Sequence, residues 1–274
     1  MYRLNEKNGM RILTDTHSHL HMKQFDPDRV SVLERAKNLA LIVNVSTNLC
    51  DIDDTIEIAN SCENIFAAIG IHPHDSGNVD KDYLNIIEQK VIAQKRSKRI
   101  VAIGEIGLDY FRNISPIDIQ KKVFAEQLML AQAIDLPVVL HIREAYEDVY
   151  DILETVGVPE KRGIVHAFSS DENWAKKFVR LGFKIGIGGP ITYPKNDLLR
   201  NVVKIVGIEN IVTETDCPYL PPQQYRGKRN EPIYVSCVVN VLNEIFASDV
   251  SEQLLRNALE VFGLIKLNRV DTND

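Results

Sequence analysis

Short apolar runs recur along this chain, and helix-length stretches of mixed polarity separate them. The runs occupy 11–16 (RILTDT), 39–46 (LALIVNVS), 65–71 (IFAAIGI), 100–106 (IVAIGEI), 137–142 (PVVLHI), 163–168 (GIVHAF), 183–188 (FKIGIG) and 211–216 (IVTETD). Most are continuously apolar rather than alternating, the pattern of strands buried on both faces of a parallel sheet. Between them, apolar positions return at the three- and four-residue spacing of one helix face. Segment 115–135 carries Ile119, Val123, Phe124, Leu128 and Ala131 in that register. Ser115 followed by Pro116 reads as an N-cap and a first-turn proline. Segments 145–157, 171–181 and 196–206 each end near a glycine (Gly157, Gly182, Gly207), the residue expected just past a helix end. Two further helices, 231–247 and 251–264, close the pattern.

Eight β runs, each followed by a helical stretch, predict an α/β chain folded as a (β/α)8 TIM barrel with an extra C-terminal helix. A doubly wound open sheet is the other reading, but it would not bring residues after six different strands to one centre. One domain is expected over 11–264, between a polar N-terminal extension at 1–10 and a polar tail at 265–274. The 274 residues and 45% hydrophobic content are ample for one large core.

Charge and cysteine usage narrow the setting. A net charge of −6 argues against bulk electrostatic adhesion to nucleic acid and leaves room for a local basic patch. Cys50, Cys62, Cys217 and Cys237 show neither CxxC spacing nor a small disulfide framework, so free thiols in a reducing cytosol are expected. The segment MYRLNEKNGMRIL lacks an apolar export core, and no apolar run approaches the roughly 20 residues a membrane span needs. The expectation is a cytoplasmic protein with no membrane contact and no obligate protein partner.

All seven histidines lie within the first 166 residues, and nearly all stand where an apolar run ends. In a barrel these ends converge on one face. His17 and His19 are two apart, so both point the same way. Glu105, His141, His166 and Asp216 follow runs four, five, six and eight. Six candidate ligands of mixed imidazole and carboxylate type exceed what one tetrahedral ion needs, and they suit two divalent ions sharing a carboxylate. His72 and His74, in GIHPHD, follow the third run on the same face. His72 reads as a neighbour of substrate or of a further ion, whereas His74 and His21 have no assigned role.

A polyanionic substrate has its own support. Arg226, Lys228 and Arg229 fall within the loop YRGKRN after the eighth run, Arg112 follows the fourth and Arg143 the fifth. Arginine forks match phosphate oxygens, and these residues are candidate substrate contacts. Tyr110, Phe111, Phe168 and Tyr219 follow the same runs and offer either packing or stacking for an unpaired base.

The segments DTHSHL, GIHPH, GEIGLDYFRN, LPVVLHIR, HAFS, GFKIGIGG, ETDCPYLPP and RGKRNEP follow one another in an order and spacing that resembles the TatD family of metal-dependent deoxyribonucleases. The resemblance spans about residue 11 to residue 264 and implies an amidohydrolase-like barrel. It implies His17, His19, Glu105, His141, His166 and Asp216 as metal ligands. Glu105 stands at the bridging position, which several amidohydrolase relatives fill with a carboxylated lysine; His72 stands near the substrate. His21 stands where the family commonly has aspartate, and Ser170 where it commonly has glycine. The resemblance also implies 3′→5′ exonuclease activity on DNA.

The expected chemistry is hydrolysis of a DNA phosphodiester, on single-stranded or frayed ends, by a metal-bound hydroxide. Two divalent ions (Zn, Mn or Mg) about 3.5–4 Å apart suit such a displacement. Glu105 and Asp216 carry the catalytic expectation, Asp216 as acceptor of the water's proton. The alternative is an amide or ester hydrolase on the same barrel, such as an aminoacyl-tRNA deacylase. A non-catalytic metal-binding scaffold is a third reading, disfavoured by the absence of a closed Cys/His structural site.

Overall fold

The computed structural model describes residues 12–265. The extension at 1–10, residue 11 of the first run and tail residues 266–274 lie outside the described residues. Eight strands pair in sequence order, each parallel to the next: β1 (Thr14–Ser18), β2 (Leu41–Val45), β3 (Ile65–Ile69), β4 (Ile100–Asp109), β5 (Val138–Arg143), β6 (Gly163–Val165), β7 (Lys184–Ile187) and β8 (Ile211–Thr213). The short β8 returns to β1 partly through side chains. Thr213 Oγ1 donates to Thr14 O at 2.7 Å, and Thr16 Oγ1 donates to Thr213 O at 3.1 Å. Beyond the strand, Asp216 N–H donates to His17 O at 2.9 Å and His19 N–H to Cys217 O at 2.8 Å. The sheet is thereby a barrel and not the open, doubly wound alternative.

The intervening helices are α1 (Arg29–Ala36), α2 (Ile52–Ser61), α3 (Tyr83–Ala93), α4 (Ile117–Ala133), α5 (Tyr146–Val156), α6 (Glu172–Arg180) and α7 (Asp197–Val206). After β8 come α8 (Val235–Phe246) and α9 (Ser251–Val261). On α4 the expected face is buried at Val123, Phe124, Leu128 and Ala131 and half-buried at Ile119. Truncating Phe124 there would cost about 3–5 kcal/mol. Gly157, Gly182 and Gly207 stand just past their helices with φ of 96°, 88° and 79°. Ser115 does not cap α4. Its hydroxyl instead donates to His74 O at 2.7 Å and accepts from Gly77 N–H at 2.9 Å, tying the loop after β3 to the start of α4.

Two apolar layers follow from the barrel. Strand residues such as Ile42, Ile69, Ile103 and Leu140 belong to the core shared with the helices. Leu41, Val43, Val45, Val139, Ile164 and Val212 form an interior cluster with Ala258, Val261 and Phe262 at the end of α9. Leu255 and Leu259 of α9 pack with Ala40 and Ile12, which precede β2 and β1. The extra C-terminal helix therefore closes the N-terminal end of the barrel and leaves the opposite mouth for chemistry. Among the described residues no single helix is long and apolar enough to cross a membrane.

The strands end differently from the apolar runs that predict them, and always at the mouth. β1 runs on through the histidine pair's start, with all five of its residues (TDTHS) buried. β4 extends to Asp109, because Gly107, Leu108 and Asp109 pair with His141, Ile142 and Arg143 of β5. β6 and β8 stop short, and the backbone then turns left-handed at Ala167 (φ 43°) and Asp216 (φ 56°), aiming the adjoining side chains inward.

Candidate metal centre

Glu105 lies at the centre of the mouth, and local sequence explains how it gets there. The β4–β5 register slips between Ile103 and Ile106. The flanking glycines make that slip possible: a Cβ on Gly104 would come within 2.6 Å of Val139 Cβ, and one on Gly107 within 2.0 Å of His141 O. The segment GEIG thus presses β4 against β5 and turns the Glu105 carboxylate into the barrel, where it is 3% exposed.

Its two oxygens face different partners. Oε2 lies 3.4 Å from His17 Nε2 and 3.8 Å from His19 Nε2. Oε1 lies 2.7 Å from His141 Nδ1, 3.7 Å from His166 Nε2 and 3.7 Å from His72 Nε2. Asp216 Oδ1 joins the first side, 3.4 Å from His19 Nε2 and 3.9 Å from His17 Nε2. Three groups of donor atoms gather closely enough to hold an ion: His17–His19–Asp216, His17–Glu105–His166 and His72–Glu105–His141. All six residues that the sequence proposes as ligands are therefore brought together, with His72 beside them.

Hydrogen bonds at His19, His141 and His72, and an ion-pair contact at His166, mark which ring nitrogens carry lone pairs. His19 Nδ1 lies 2.7 Å from Val45 O, so its proton sits there and Nε2 is free to ligate. That free Nε2 lies 3.1 Å from His17 Nε2, a close approach of two nitrogens that a shared cation resolves. His141 Nε2 faces Asp109 Oδ2 at 3.1 Å, leaving Nδ1 as its ligating atom. His166 Nδ1 faces Glu214 Oε2 at 3.1 Å, leaving Nε2. Carboxylate or carbonyl partners of this kind orient metal-binding imidazoles and raise their basicity. His72 is the exception. Its Nδ1 accepts the His74 N–H at 3.1 Å, so a neutral ring carries its proton on Nε2 and donates into the site rather than ligating.

The electrostatics agree with a cation site. Burial opposes ionisation of Glu105, but the histidines around it, His72 and His17 first, hold its carboxyl well below the usual range. Asp216 is likewise held low against burial by His19, His166 and His17. Burial pushes His17 down and His72 far down. Burial also opposes protonation of His141 and His166, yet their carboxylates carry them up to about 9 and about 10. Protons thus stand where cations would.

Three residues absent from the sequence-level assignment support this centre. Glu214 is 1% exposed; besides facing His166 it accepts the Ala167 N–H at 2.6 Å. Asp109 receives both His141 and, at 2.8 Å, His74 Nε2, which gives His74 its role. Asp15 accepts from Thr215 N–H and Thr215 Oγ1 at 2.8 and 2.6 Å, tying β1 to the segment that carries Asp216; burial pushes its carboxyl up to about 8. The signal was present in the sequence, since each acid stands two or four positions from a ligand, in DTH, TETD and EIGLD. His21 lies outside the cluster, held between Asp51 Oδ2 and Thr55 Oγ1 at 3.2 Å each.

The basic residues separate into two groups. Arg143 lines the mouth, its guanidinium 4.0 Å over the exposed Phe111 ring. Arg226 is exposed and lies 4.8 Å over Tyr193; Lys228 is exposed on the same loop, and Arg112 is exposed after β4 with its backbone N–H bonded to Asp109 Oδ1. Arg229 departs from the expected substrate contact. Its fork grips Asp28 at 2.6 and 2.8 Å and Glu231 at 3.1 Å, over the Phe25 ring, so its charge is spent inside the fold.

Comparison with known proteins agrees with this geometry. Residues 14–263 match the family model described as TatD related DNase. An uncharacterized metal-dependent hydrolase of Bacillus subtilis, YabD, is 38% identical over 256 residues, covering 92% of this chain and 99% of that protein. The Escherichia coli K12 hydrolase YjjV is 33% identical over 256 residues, covering 91% of this chain and 97% of its own length. Its crystal structure, described as that of a TatD homolog, superposes with a TM-score of 0.87 over 93% of this chain and 100% of that one. A TatD family hydrolase structure from Entamoeba histolytica, 24% identical, shares the fold with a TM-score of 0.80 over 92% of this chain and 98% of that one. A chain matched over nearly its whole length, with its histidines and acids gathered at one barrel mouth, belongs to the TatD family of metal-dependent hydrolases.

Proposed function

We propose that this protein is a two-metal phosphodiesterase that removes nucleotides from an end of DNA. The observation that carries the reading is Glu105, whose two oxygens face two separate sets of imidazoles. His17, His19, Asp216 and Glu105 would hold one ion; Glu105, His141 and His166 would hold the other. The donor set of four imidazoles with carboxylates favours zinc or manganese over magnesium, which prefers oxygen. When bound, two such ions acidify water and neutralise the oxygens of a phosphoryl group in displacement.

The chain's own groups supply the rest. Asp216, with 15% of its side chain exposed, keeps carboxylate surface open to the cavity and accepts the proton of the attacking water. His72 Nε2, 3.7 Å from Glu105 Oε1, would donate its proton to a phosphoryl oxygen that gains charge as the displacement proceeds. Arg143 at the rim offers a fork to a phosphate, pre-oriented by the Phe111 ring. The 3′→5′ direction rests on the family resemblance, and an end-acting mode on the confined mouth.

The test is a metal-replete assay with 3′-labelled and 5′-labelled single-stranded DNA beside an aminoacyl-tRNA. Stepwise release from one DNA end, abolished by chelation and restored by zinc or manganese, is the expected result. Hydrolysis confined to the aminoacyl ester would assign the same centre to carbonyl chemistry instead. DNA hydrolysis that survives exhaustive chelation would end the metal mechanism.

A further inference from the structure

The end of the barrel opposite the metal centre carries a concentration of charge that the proposed reaction does not use. The chain returns from α3 to β4 through QKRSKR, residues 94–99, at the N-terminal end of the barrel. Glu105 lies about 20 Å of extended chain further on, along β4. Lys95, Arg96 and Lys98 are exposed, and among the described residues none of them pairs with a carboxylate. Arg99 is different. Its Nη1 donates to Glu63 O at 2.9 Å and to Ile65 O at 3.2 Å, and its guanidinium lies 5.5 Å over the Phe66 ring, so it pins the turn to the start of β3. Other lysines at this end are engaged: Lys161 Nζ lies 2.8 Å from Asp135 Oδ2, and Lys184 Nζ donates to Glu209 O at 2.6 Å.

The turn is built to present these charges. Bare carbonyls at a helix end would repel an anion. Here Gln94 O accepts both Lys98 N–H and the Ser97 hydroxyl at 2.9 Å, and Ile92 O accepts Lys95 N–H at 3.2 Å. Basic residues beside a helix C-terminus stabilise it, which accounts for Lys95 and Arg96. It does not account for Lys98, which closes the turn with φ 52°, where glycine fits and lysine is strained.

We propose that the turn at 94–99 is a second nucleic-acid contact, which holds the phosphates of duplex DNA away from the catalytic mouth. The ring in contact with the turn, Phe66, is 8% exposed beneath Arg99, so an unpaired base has nothing there to stack on. What remains is charge, which reads backbone and not sequence. Three free cations fall short of the cluster of about four to eight that marks an anionic lipid surface. On a chain of net charge −6, an uncompensated basic turn gives a polyanion a place to approach. The inference goes beyond the proposed function and does not depend on which bond the centre cleaves.

The test uses the metal-loaded protein and a closed-circular duplex DNA, which has no end to enter the mouth. The wild type is expected to bind the circle at low salt. Lys95→Gln/Arg96→Gln/Lys98→Gln should bind it at least about 10-fold more weakly, with a salt slope shallower by about 2–3. Metal content and hydrolysis of a short single-stranded oligonucleotide should be the same in both proteins. Lys98→Gly separates charge from fold: it should raise the thermal midpoint by relieving the strained φ, yet weaken binding of the circle. Failure of the wild type to bind the circle, or equal affinity and salt slope in the triple variant, overturns the inference. Binding to anionic vesicles that is lost in the triple variant while DNA binding is unchanged also overturns it and assigns the turn to a lipid surface.

Discussion

Replacing Glu105 by glutamine changes almost nothing in shape and one thing in chemistry. The side chain keeps one carbonyl oxygen, but the other oxygen becomes an N–H2 group, a donor without a lone pair for a metal. In the wild type, Oε2 faces His17 and His19 at 3.4 and 3.8 Å, and Oε1 faces His141, His166 and His72 between 2.7 and 3.7 Å. Whichever way the amide turns, one set of imidazoles meets a donor where it had a carboxylate. The site is 3% exposed, so water cannot replace the lost charge. Breaking a buried charged pair from one side costs about 3–5 kcal/mol, which corresponds to about 10²·²–10³·⁷-fold in affinity at 1.36 kcal/mol per decade. The expected outcome is loss of about one of two metal equivalents, with kcat falling by at least about 10²-fold. Metal analysis after gel filtration, together with DNA hydrolysis at saturating metal, reads both. A Glu105→Gln protein that keeps its full metal content and normal turnover would refute the bridging role and, with it, the two-metal reading.

Other perturbations separate the remaining roles. Glu214→Gln, which keeps the fold of the side chain but loses the charge at His166 Nδ1, should weaken metal binding or activity about 10–100-fold; unchanged metal affinity by competitive titration would deny Glu214 that function. His72→Phe should lower kcat by about 10²-fold or more while metal content holds, because His72 donates rather than ligates; loss of a metal equivalent would make it a ligand. The raised imidazoles set a pH dependence with opposite signs for the two forms. His141 and His166 titrate near 9 and 10 in the metal-free fold, above the usual 6.5, so their charge stabilises that fold fully below about pH 6.5. This contribution is lost as pH rises through 9 to 10, while metal affinity rises over the same window as protons leave. Thermal midpoints with and without chelator between pH 6.5 and 9.5 check both signs; a metal affinity flat with pH would contradict them. Neutralising Arg226 and Lys228 together should reduce the salt slope of DNA binding by about one per lost phosphate contact. Arg229→Gln should instead lower the thermal midpoint, since its fork holds Asp28 and Glu231; a change in salt slope without destabilisation would return Arg229 to the substrate.

Much of this molecule was legible in one dimension, because the relevant physics is local. Buried parallel strands must be apolar throughout, so the runs before His17, Glu105, His141, His166 and Asp216 announced both the barrel and the residues at its mouth. Helix faces and the glycines at 157, 182 and 207 obey the same short-range rules. The segment GEIG even carries the reason for the slip that turns Glu105 inward, since only glycine admits β5 so close. What the tertiary structure alone decided is which atoms meet across long stretches of chain. Ser115 looked like a cap and became a strut to Gly77, and Arg229 looked like a phosphate contact and became the clasp of Asp28. Asp109 and Glu214 look like ordinary acids until His141 and His166 arrive beside them. The ligating nitrogens of His19, His141 and His166 follow from Val45, Asp109 and Glu214, and the separate faces of Glu105 from His17 on one side and His141 and His166 on the other, whereas the donor role of His72 is set by its near neighbour His74. Sequence specifies which side chains stand at the strand ends, and closure of the barrel selects which of their polar atoms are already satisfied and which remain free for chemistry.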